Sequence, residues 1–380
     1  MRIAFYAPLK APGQGFAPSG DRRVAGLLMA ALAHSGERVE LVSTFRSYDA
    51  DGDRERQAAL RAQGEALGRT LASEWKDLPR GERPDLWFTY HLYYKAPDWL
   101  GPIVAGALGI PYVIAEASYA AKRASGPWAL GHEASTLAIR QATLLVCPTR
   151  DDIAGLRELV PAERILHLPP FLDLEPYRSA AAARKESRAR LAREHRLDPA
   201  VPWIAVVAMM RHGDKLSSYR ALAATLARVA DLPWRLVVVG DGPARAEARG
   251  ALESAAPGRA VFLGEVRNRD IAPVYAACDL TVWPAVNEAY GMALLEAQAA
   301  GVPVVSCALR GVPDVVADGE TGILVKENDF EALARALRGL LVDRERRSAL
   351  GKGAAAFVLR ERSLEMAADR LSRALAKLSA

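Results

Sequence analysis

The sequence predicts an α/β protein of two doubly wound domains of similar size, facing each other across a cleft. Three observations predict it. At 380 residues the chain is too long for one ordinary domain and long enough for two, each with its own core. Short apolar strand signals alternate with helical apolar periodicity twice along the chain, and such βαβ alternation makes parallel sheets covered by helices. Between the two series stand a proline-rich turn, Leu168-Pro169-Pro170-Phe171-Leu172-Asp173, and a charged stretch reaching Arg196.

The first series opens with a strand from Arg2 to Tyr6, a helix from Asp21 to Ser35 stopped by Gly36, and a strand from Arg38 to Ser43. Strands are expected again at Leu86 to Thr89, Tyr112 to Ala115 and Leu144 to Cys147, with intervening helices ending near Gly109 and Gln141. The second series starts at Trp203 to Ala208 and continues at Arg235 to Val239, Ala260 to Leu263, Leu280 to Trp283 and Val302 to Ser306. From Asp329 to Ser379 the chain reads as helical and rich in Ala, Leu and Arg. The expected domains are residues 1–175, joined by a C-terminal helix at 360–380, and residues 176–359. Ligands of such sheets sit at the carboxyl ends of the strands.

Hydrophobic content of 51% and charged content of 25% are globular values. No run of about eighteen uncharged apolar residues is present, so no spanning helix is expected. The N-terminus reads as a strand, not a signal peptide. The three cysteines, Cys147, Cys278 and Cys307, lie in or beside apolar segments and read as buried thiols of a cytoplasmic protein. Without CxxC or His-x-x-x-His spacing, a zinc site is not expected. The net charge of +5 is concentrated between Arg178 and Arg196. That stretch reads as a solvated helix face; attraction to the anionic inner face of a membrane is the sharper alternative. Nucleic acid is not expected as a partner, because no aromatics interleave with the charges.

The most informative stretch runs from Asn287 to Glu296, directly after the apolar run Leu280-Thr281-Val282-Trp283. Glu288 and Glu296, with seven residues between them, bracket Gly291. The order strand, loop, helix start offers backbone N–H groups and a positive dipole end to an anion. Ionised carboxylates are pure acceptors, suited to the O–H donors of a sugar. Phosphate and polyol together suggest a sugar nucleotide. The N–H groups of Gly291 and Met292 would hold the β-phosphate or a sugar oxygen, and Glu296 would accept from a ribose.

Other strand ends add to this. Arg211 and Lys215, with Gly213 between them, suit a diphosphate gripped from two sides. Gly240-Asp241-Gly242-Pro243 permits a tight strand-to-helix turn. It lacks the third glycine and the acid of a dinucleotide fingerprint, which disfavours NAD. Leu263-Gly264-Glu265-Val266 could bring backbone atoms to a nucleobase edge.

This ordered series resembles the family 4 glycosyltransferases, a retaining group with two Rossmann-like domains (the GT-B fold). The resemblance spans nearly the whole chain and is strongest from Val206 to Val325. It rests on Arg211 with Lys215, Val239-Gly240-Asp241-Gly242-Pro243, Phe262-Leu263-Gly264, Glu288 to Glu296 and Gly301-Val302-Pro303-Val304-Val305. Gly311-Val312-Pro313-Asp314-Val315-Val316, Asp318-Gly319 and Thr321-Gly322-Ile323-Leu324-Val325 complete it. The resemblance implies transfer of a sugar from a nucleotide-diphosphate-sugar to a glycan, lipid-linked or small-molecule acceptor, with retention at the anomeric carbon. Arg211 and Lys215 would neutralise the diphosphate, Glu288 would bind the donor sugar and Glu296 the ribose. No metal or other cofactor is needed where cations and a helix N-terminus carry that charge. Two alternatives share the architecture: a sugar-nucleotide epimerase and a catalytically silent nucleotide-binding subunit.

The departures are local. Leu216 stands where the family has glycine after the lysine, Ala285 where it has serine, and Tyr290 supplies the aromatic before Gly291. A histidine often follows a strand of the family's first domain near the reacting carbon. Here Glu116 follows Tyr112 to Ala115, so Glu116, His91 or His132 is the candidate. The loop Pro12-Gly13-Gln14-Gly15 with Ser19-Gly20-Asp21 is the one that closes over the donor phosphate and acceptor in that resemblance. Lys122 is a further acceptor-side candidate. Asp49-Ala50-Asp51-Gly52-Asp53 offers a DxD metal pattern, but its glycine and polar neighbours read as a solvated turn.

Overall fold

A computed structural model of the chain describes residues 1–13 and 19–378. The chain forms two compact units, Met1–Pro169 with the C-terminal segment from Leu364, and Pro170–Ser363.

The first unit runs β1 (Arg2–Tyr6), α1 (Gly20–His34), β2 (Arg38–Ser43), α2 (Arg54–Asp77), β3 (Leu86–Leu92), α3 (Gly101–Leu108), β4 (Tyr112–Ala117), α4 (Ala129–Gln141), β5 (Leu144–Cys147), α5 (Arg150–Leu156) and β6 (Ile165–His167). Its strands form one sheet in the order β2-β1-β3-β4-β5-β6, every neighbouring pair parallel. The central strands are buried on both faces, through Ile3, Phe5, Leu86, Phe88, Val113 and Leu145 among others. That burial explains why they read as continuous apolar runs. Helix α2 and strand β6 carry no such signal. α2 docks closely through Gly64, Gly68 and Ala72, where a Cβ at Gly64 would stand 2.5 Å from Trp99 Cβ, with Leu67, Leu71 and Trp75 packed half-buried beside them.

One buried carboxylate organises the β3–α3 turn. Asp98 accepts from Thr89 Oγ1, Tyr112 Oη and the N–H groups of Leu100 and Gly101. Burial raises its pKa against those bonds.

The second unit runs α6 (Glu175–Ala182), α7 (Arg184–His195), β7 (Trp203–Val207), α8 (Asp214–Ala227), β8 (Arg235–Val239), α9 (Arg245–Ala255), β9 (Ala260–Gly264), α10 (Asn268–Ala277), β10 (Leu280–Trp283), α11 (Met292–Ala299), β11 (Val304–Ala308), α12 (Val312–Val315), β12 (Gly322–Lys326), α13 (Phe330–Val342) and α14 (Arg344–Glu361). The sheet order is β12-β11-β10-β7-β8-β9, again all parallel. The chain lays β8 and β9 to one side of β7, then crosses back to place β10 on the other. The strand order therefore reverses between β7 and β10, where open α/β sheets bind ligands. The last helix, α15 (Leu364–Ala376), belongs to the first unit, where it packs on α1 and Ser35 Oγ donates to Ala368 O at 3.0 Å.

Two details correct the sequence reading. The basic stretch is only partly a solvated face, because Arg184 and Arg188 both pair with Asp279 at 2.9 Å. Arg188 also donates to the carbonyls of Ala277, Pro199 and Val201 and lies 4.2 Å over the Trp203 ring. In the Asp49–Asp53 turn, Asp49 is buried and accepts from Gln57 Nε2 and the N–H groups of Asp51 and Gly52. Asp53 caps α2. Asp49 and Asp53 staple the turn, and the solvated reading holds for the exposed Asp51 and Asp53 but not for Asp49. All three cysteines are buried thiols, pushed by burial to about 12 (Cys147, Cys278) and about 11 (Cys307). No helix among the described residues is long and apolar enough to cross a membrane.

Candidate active site

In the second unit, β7 and β10 deliver two loops to the switch point. The first, from Ala208 to Gly213, starts α8 at Asp214 and so puts Lys215 in that helix's first turn. The second, from Pro284 to Gly291, starts α11 at Met292. Lys215 Nζ pairs with the Glu288 carboxylate across these loops. Trp283 Nε1 donates to the same oxygen at 3.3 Å, and the ammonium lies 5.7 Å from the Trp283 ring.

Flanking bonds hold the second loop. Asn287 Nδ2 donates to Asp214 Oδ2 at 2.8 Å, Arg310 Nη1 to Asn287 Oδ1 at 3.3 Å, and Val286 N–H to Ser218 Oγ at 3.0 Å. They keep Ala285 (φ 58°) and Asn287 (φ 49°) in the left-handed region, a strain of roughly 1–3 kcal/mol each that non-glycine residues carry mainly at functional sites. Gly291, at φ 76°, is the N-cap of α11, and no side chain caps that helix start. Gly240 follows β8 at φ 140°, where a Cβ would come within 1.9 Å of Ala208 O, so only glycine lets the β8 loop approach the β7 loop so closely.

The remaining residues of this unit divide. Glu296 lies in the second turn of α11 and is 5% exposed, so it is held inside the unit and not on a solvated face. Tyr290 and Val266 are half-buried, after β10 and β9 respectively. Arg211 is exposed on the Lys215 loop and takes no part in the Lys215–Glu288 pair.

The carboxyl end of the first sheet holds a different set. His91, at the end of β3, has Nδ1 3.2 Å from Asp21 Oδ1 and 3.7 Å from Glu116 Oε1. Lys10 Nζ sits 2.9 Å from Asp21 Oδ2, and Asp152 in the first turn of α5 is bonded by Thr149 Oγ1 at 2.7 Å. Burial works against charge on His91, yet the charges of Glu116 and Asp21 win and its pKa is raised. Burial raises that of Glu116 as well, Asp21 and Asp152 adding to it. Asp21 goes the other way: burial opposes, but His91 and Lys10 hold its carboxyl well below the usual range.

The structure thus brings His91 and Glu116 together. Lys122 is exposed in a short turn at Ala121–Arg123. His132 is buried in α4 against the Tyr119 ring, 5.5 Å away, and borders a groove of about 680 Å³ with Arg54, Glu133 and Arg140. Gly15 lies outside the described residues. Sequence reading placed Asp21 only within the loop Ser19-Gly20-Asp21, without a role of its own, and did not select Asp152; the signal was an acid in the first turn of a helix after a strand, at Ser19-Gly20-Asp21 and Thr149-Arg150-Asp151-Asp152. Among the described residues, no group of three or more His, Cys, Asp or Glu side chains is arranged to hold a metal ion.

Comparison with known proteins gives the family. Residues 202–343 match the model of Glycosyl transferases group 1. The D-inositol 3-phosphate glycosyltransferase of Xylanimonas cellulosilytica is 30% identical over 393 residues, covering 94% of this chain and 91% of that protein. The chain belongs to the group 1 glycosyltransferases. The match to the enzyme of the same name from Nocardia farcinica, 32% identical over 226 residues, covers 57% of the chain and about half (49%) of that relative. Among solved structures, sucrose-phosphate synthase from Thermosynechococcus elongatus superposes with a TM-score of 0.71 at 20% identity, covering 99% and 98% of the two chains. Anabaena Alr3699/HepE in complex with UDP-glucose gives 0.70 at 17% identity, covering 99% and 100%. These likenesses establish the GT-B fold for this group 1 glycosyltransferase.

Proposed function

We propose that the protein moves a sugar from a nucleotide-diphosphate-sugar donor to a glycan, lipid-linked or small-molecule acceptor, with retention at the anomeric carbon. The observation that carries this reading is the Lys215–Glu288 pair at the switch point of the second unit, beside the start of α11, which no side chain caps. A helix start with an adjacent ammonium suits a diphosphate, and a carboxylate in the same corner suits sugar hydroxyls. The UDP-glucose bound by the Anabaena neighbour supports a nucleotide sugar as the donor.

In this reading Lys215, Arg211 and the N–H groups of Gly291 and Met292 meet the diphosphate, whose negative charge grows as the C1–O bond breaks. Glu288 and Glu296 accept from hydroxyls of the donor sugar and the ribose. Gly240, Val266 and Tyr290 line the donor with backbone and ring. The acceptor oxygen bonds to C1 on the face the phosphate leaves, and its proton passes to the departing phosphate oxygen. Positioning and charge stabilisation then supply the catalysis, with no metal assigned a role.

The test is an incubation with UDP-glucose and a panel of glycan, lipid-linked and polyol acceptors, with product configuration read by proton NMR. An α-linked product from the α-configured donor is expected. A β-linked product would overturn retention, and a donor-only conversion to an epimer would overturn the transferase reading.

A further inference from the structure

One imidazole at the carboxyl end of the first sheet faces acids with one of its two nitrogens. His91 turns Nδ1 toward Asp21 of α1 and Glu116 of β4, with Asp152 of α5 adding a third acid to the field. Lys10, from the β1–α1 loop, meets the far oxygen of Asp21, and the rings of Tyr90 and Tyr93 stand 5.7 and 5.2 Å from the imidazole. His91 and Glu116 both take left-handed backbone, φ 60° and 57°. Two side chains from neighbouring strands are thus held in strained geometry so as to meet, a pattern of functional sites rather than of packing.

Nδ1 is buried and faces the two carboxylates at ion-pair distance without a hydrogen bond to either, and their charge favours a proton on it. That orientation turns Nε2 away from the acids and toward a ligand. We propose that Asp21, supported by Glu116, is a positioning residue for the transfer reaction: it holds His91 so that Nε2 meets a substrate oxygen. The assignment rests on the proposed transferase function. Three acids around one ring favour the imidazolium, so Nε2–H donates a hydrogen bond and does not serve as a base. The acid excess also suits a hydroxyl-bearing ligand over a phosphate at this end.

The test combines an NMR titration of the His91 ring with the pH profile of UDP release from UDP-glucose, in wild type and Asp21→Asn. The expected result is a His91 midpoint about one pH unit lower or more in the variant. The alkaline limb of kcat should move down by the same amount, with UDP affinity unchanged, and Asp21→Glu should restore both. Glu116→Gln, which removes the other carboxylate facing Nδ1, should also lower the midpoint and serves if Asp21→Asn does not fold. An unmoved midpoint in a folded variant overturns the clamp. A moved midpoint with an unmoved pH profile overturns the positioning role and leaves the transferase reading standing. A wild type that neither binds nor turns over any nucleotide sugar defeats the transferase reading, and this role with it.

Discussion

The two sheets present their polar groups at the same end, the carboxyl ends of parallel strands, yet end in different chemistry. In the second unit one ammonium meets one carboxylate beside a glycine-bearing turn and a helix start that no side chain caps. In the first, three carboxylates surround an imidazole and one ammonium. In the proposed reading the second end takes up negative charge, through amides and a cation, and the first accepts hydrogen bonds and holds one donor in place. The difference between the two ends lies in the loops rather than in the sheets.

The largest effect is expected at the second end. Lys215→Ala should lower kcat/KM for the nucleotide sugar about 10²-fold and weaken nucleoside diphosphate binding, since it removes a charge and leaves Glu288 without its ammonium. Arg188→Ala lies outside both ends and tests whether they are specific. It should cost about 2 kcal/mol of stability, read by chemical denaturation, because Asp279 and three carbonyls lose a shared donor. Activity per folded molecule should stay unchanged.

At the first end, Glu116→Gln should lower kcat about tenfold while calorimetric affinity for UDP stays the same. Loss of UDP affinity there would erase the division. The smallest effect belongs to Trp283→Phe, which removes one donor to Glu288 and should lower kcat/KM about threefold.

The pH dependence follows from the shifts. The raised pKa of His91 means its charged form stabilises the fold fully below about pH 6.5, and that contribution fades as pH rises through the higher folded value. Asp21 is the reverse: its lowered pKa gives a contribution present above about pH 4 and lost as pH falls toward the folded value. Thermal midpoints across pH should therefore fall on both sides, and Asp21→Asn should flatten both.

Strands buried on both faces were plain in the sequence, because Phe5, Phe88, Val113 and Val237 sit in unbroken apolar runs. Strand β6 is three residues long and only half-buried, which leaves no apolar run to detect, whereas α2 carries the helical spacing Leu60, Leu67, Leu71 and Trp75, diluted by charged and glycine positions. Strand β12 likewise pairs only with β11 at the sheet edge and alternates weakly. At the candidate site, Glu288 stands out because a glycine turn, an acid and an apolar strand come together in sequence, and Lys215 through its spacing from Arg211, but their pairing was not legible. Nor was the meeting of Asp21, His91 and Glu116. Those residues are spread over nearly a hundred positions and are joined only by strand order, which no local spacing encodes.

The central claim is that the second unit's switch point holds the diphosphate of a sugar nucleotide. It is tested most directly by calorimetric titration of UDP, ADP, GDP and dTDP into the wild type and into Lys215→Ala. Binding of at least one nucleotide, weakened about tenfold or more in the variant, is the predicted result. Equal affinity in the two proteins, or binding of none of the four to the wild type, would contradict it.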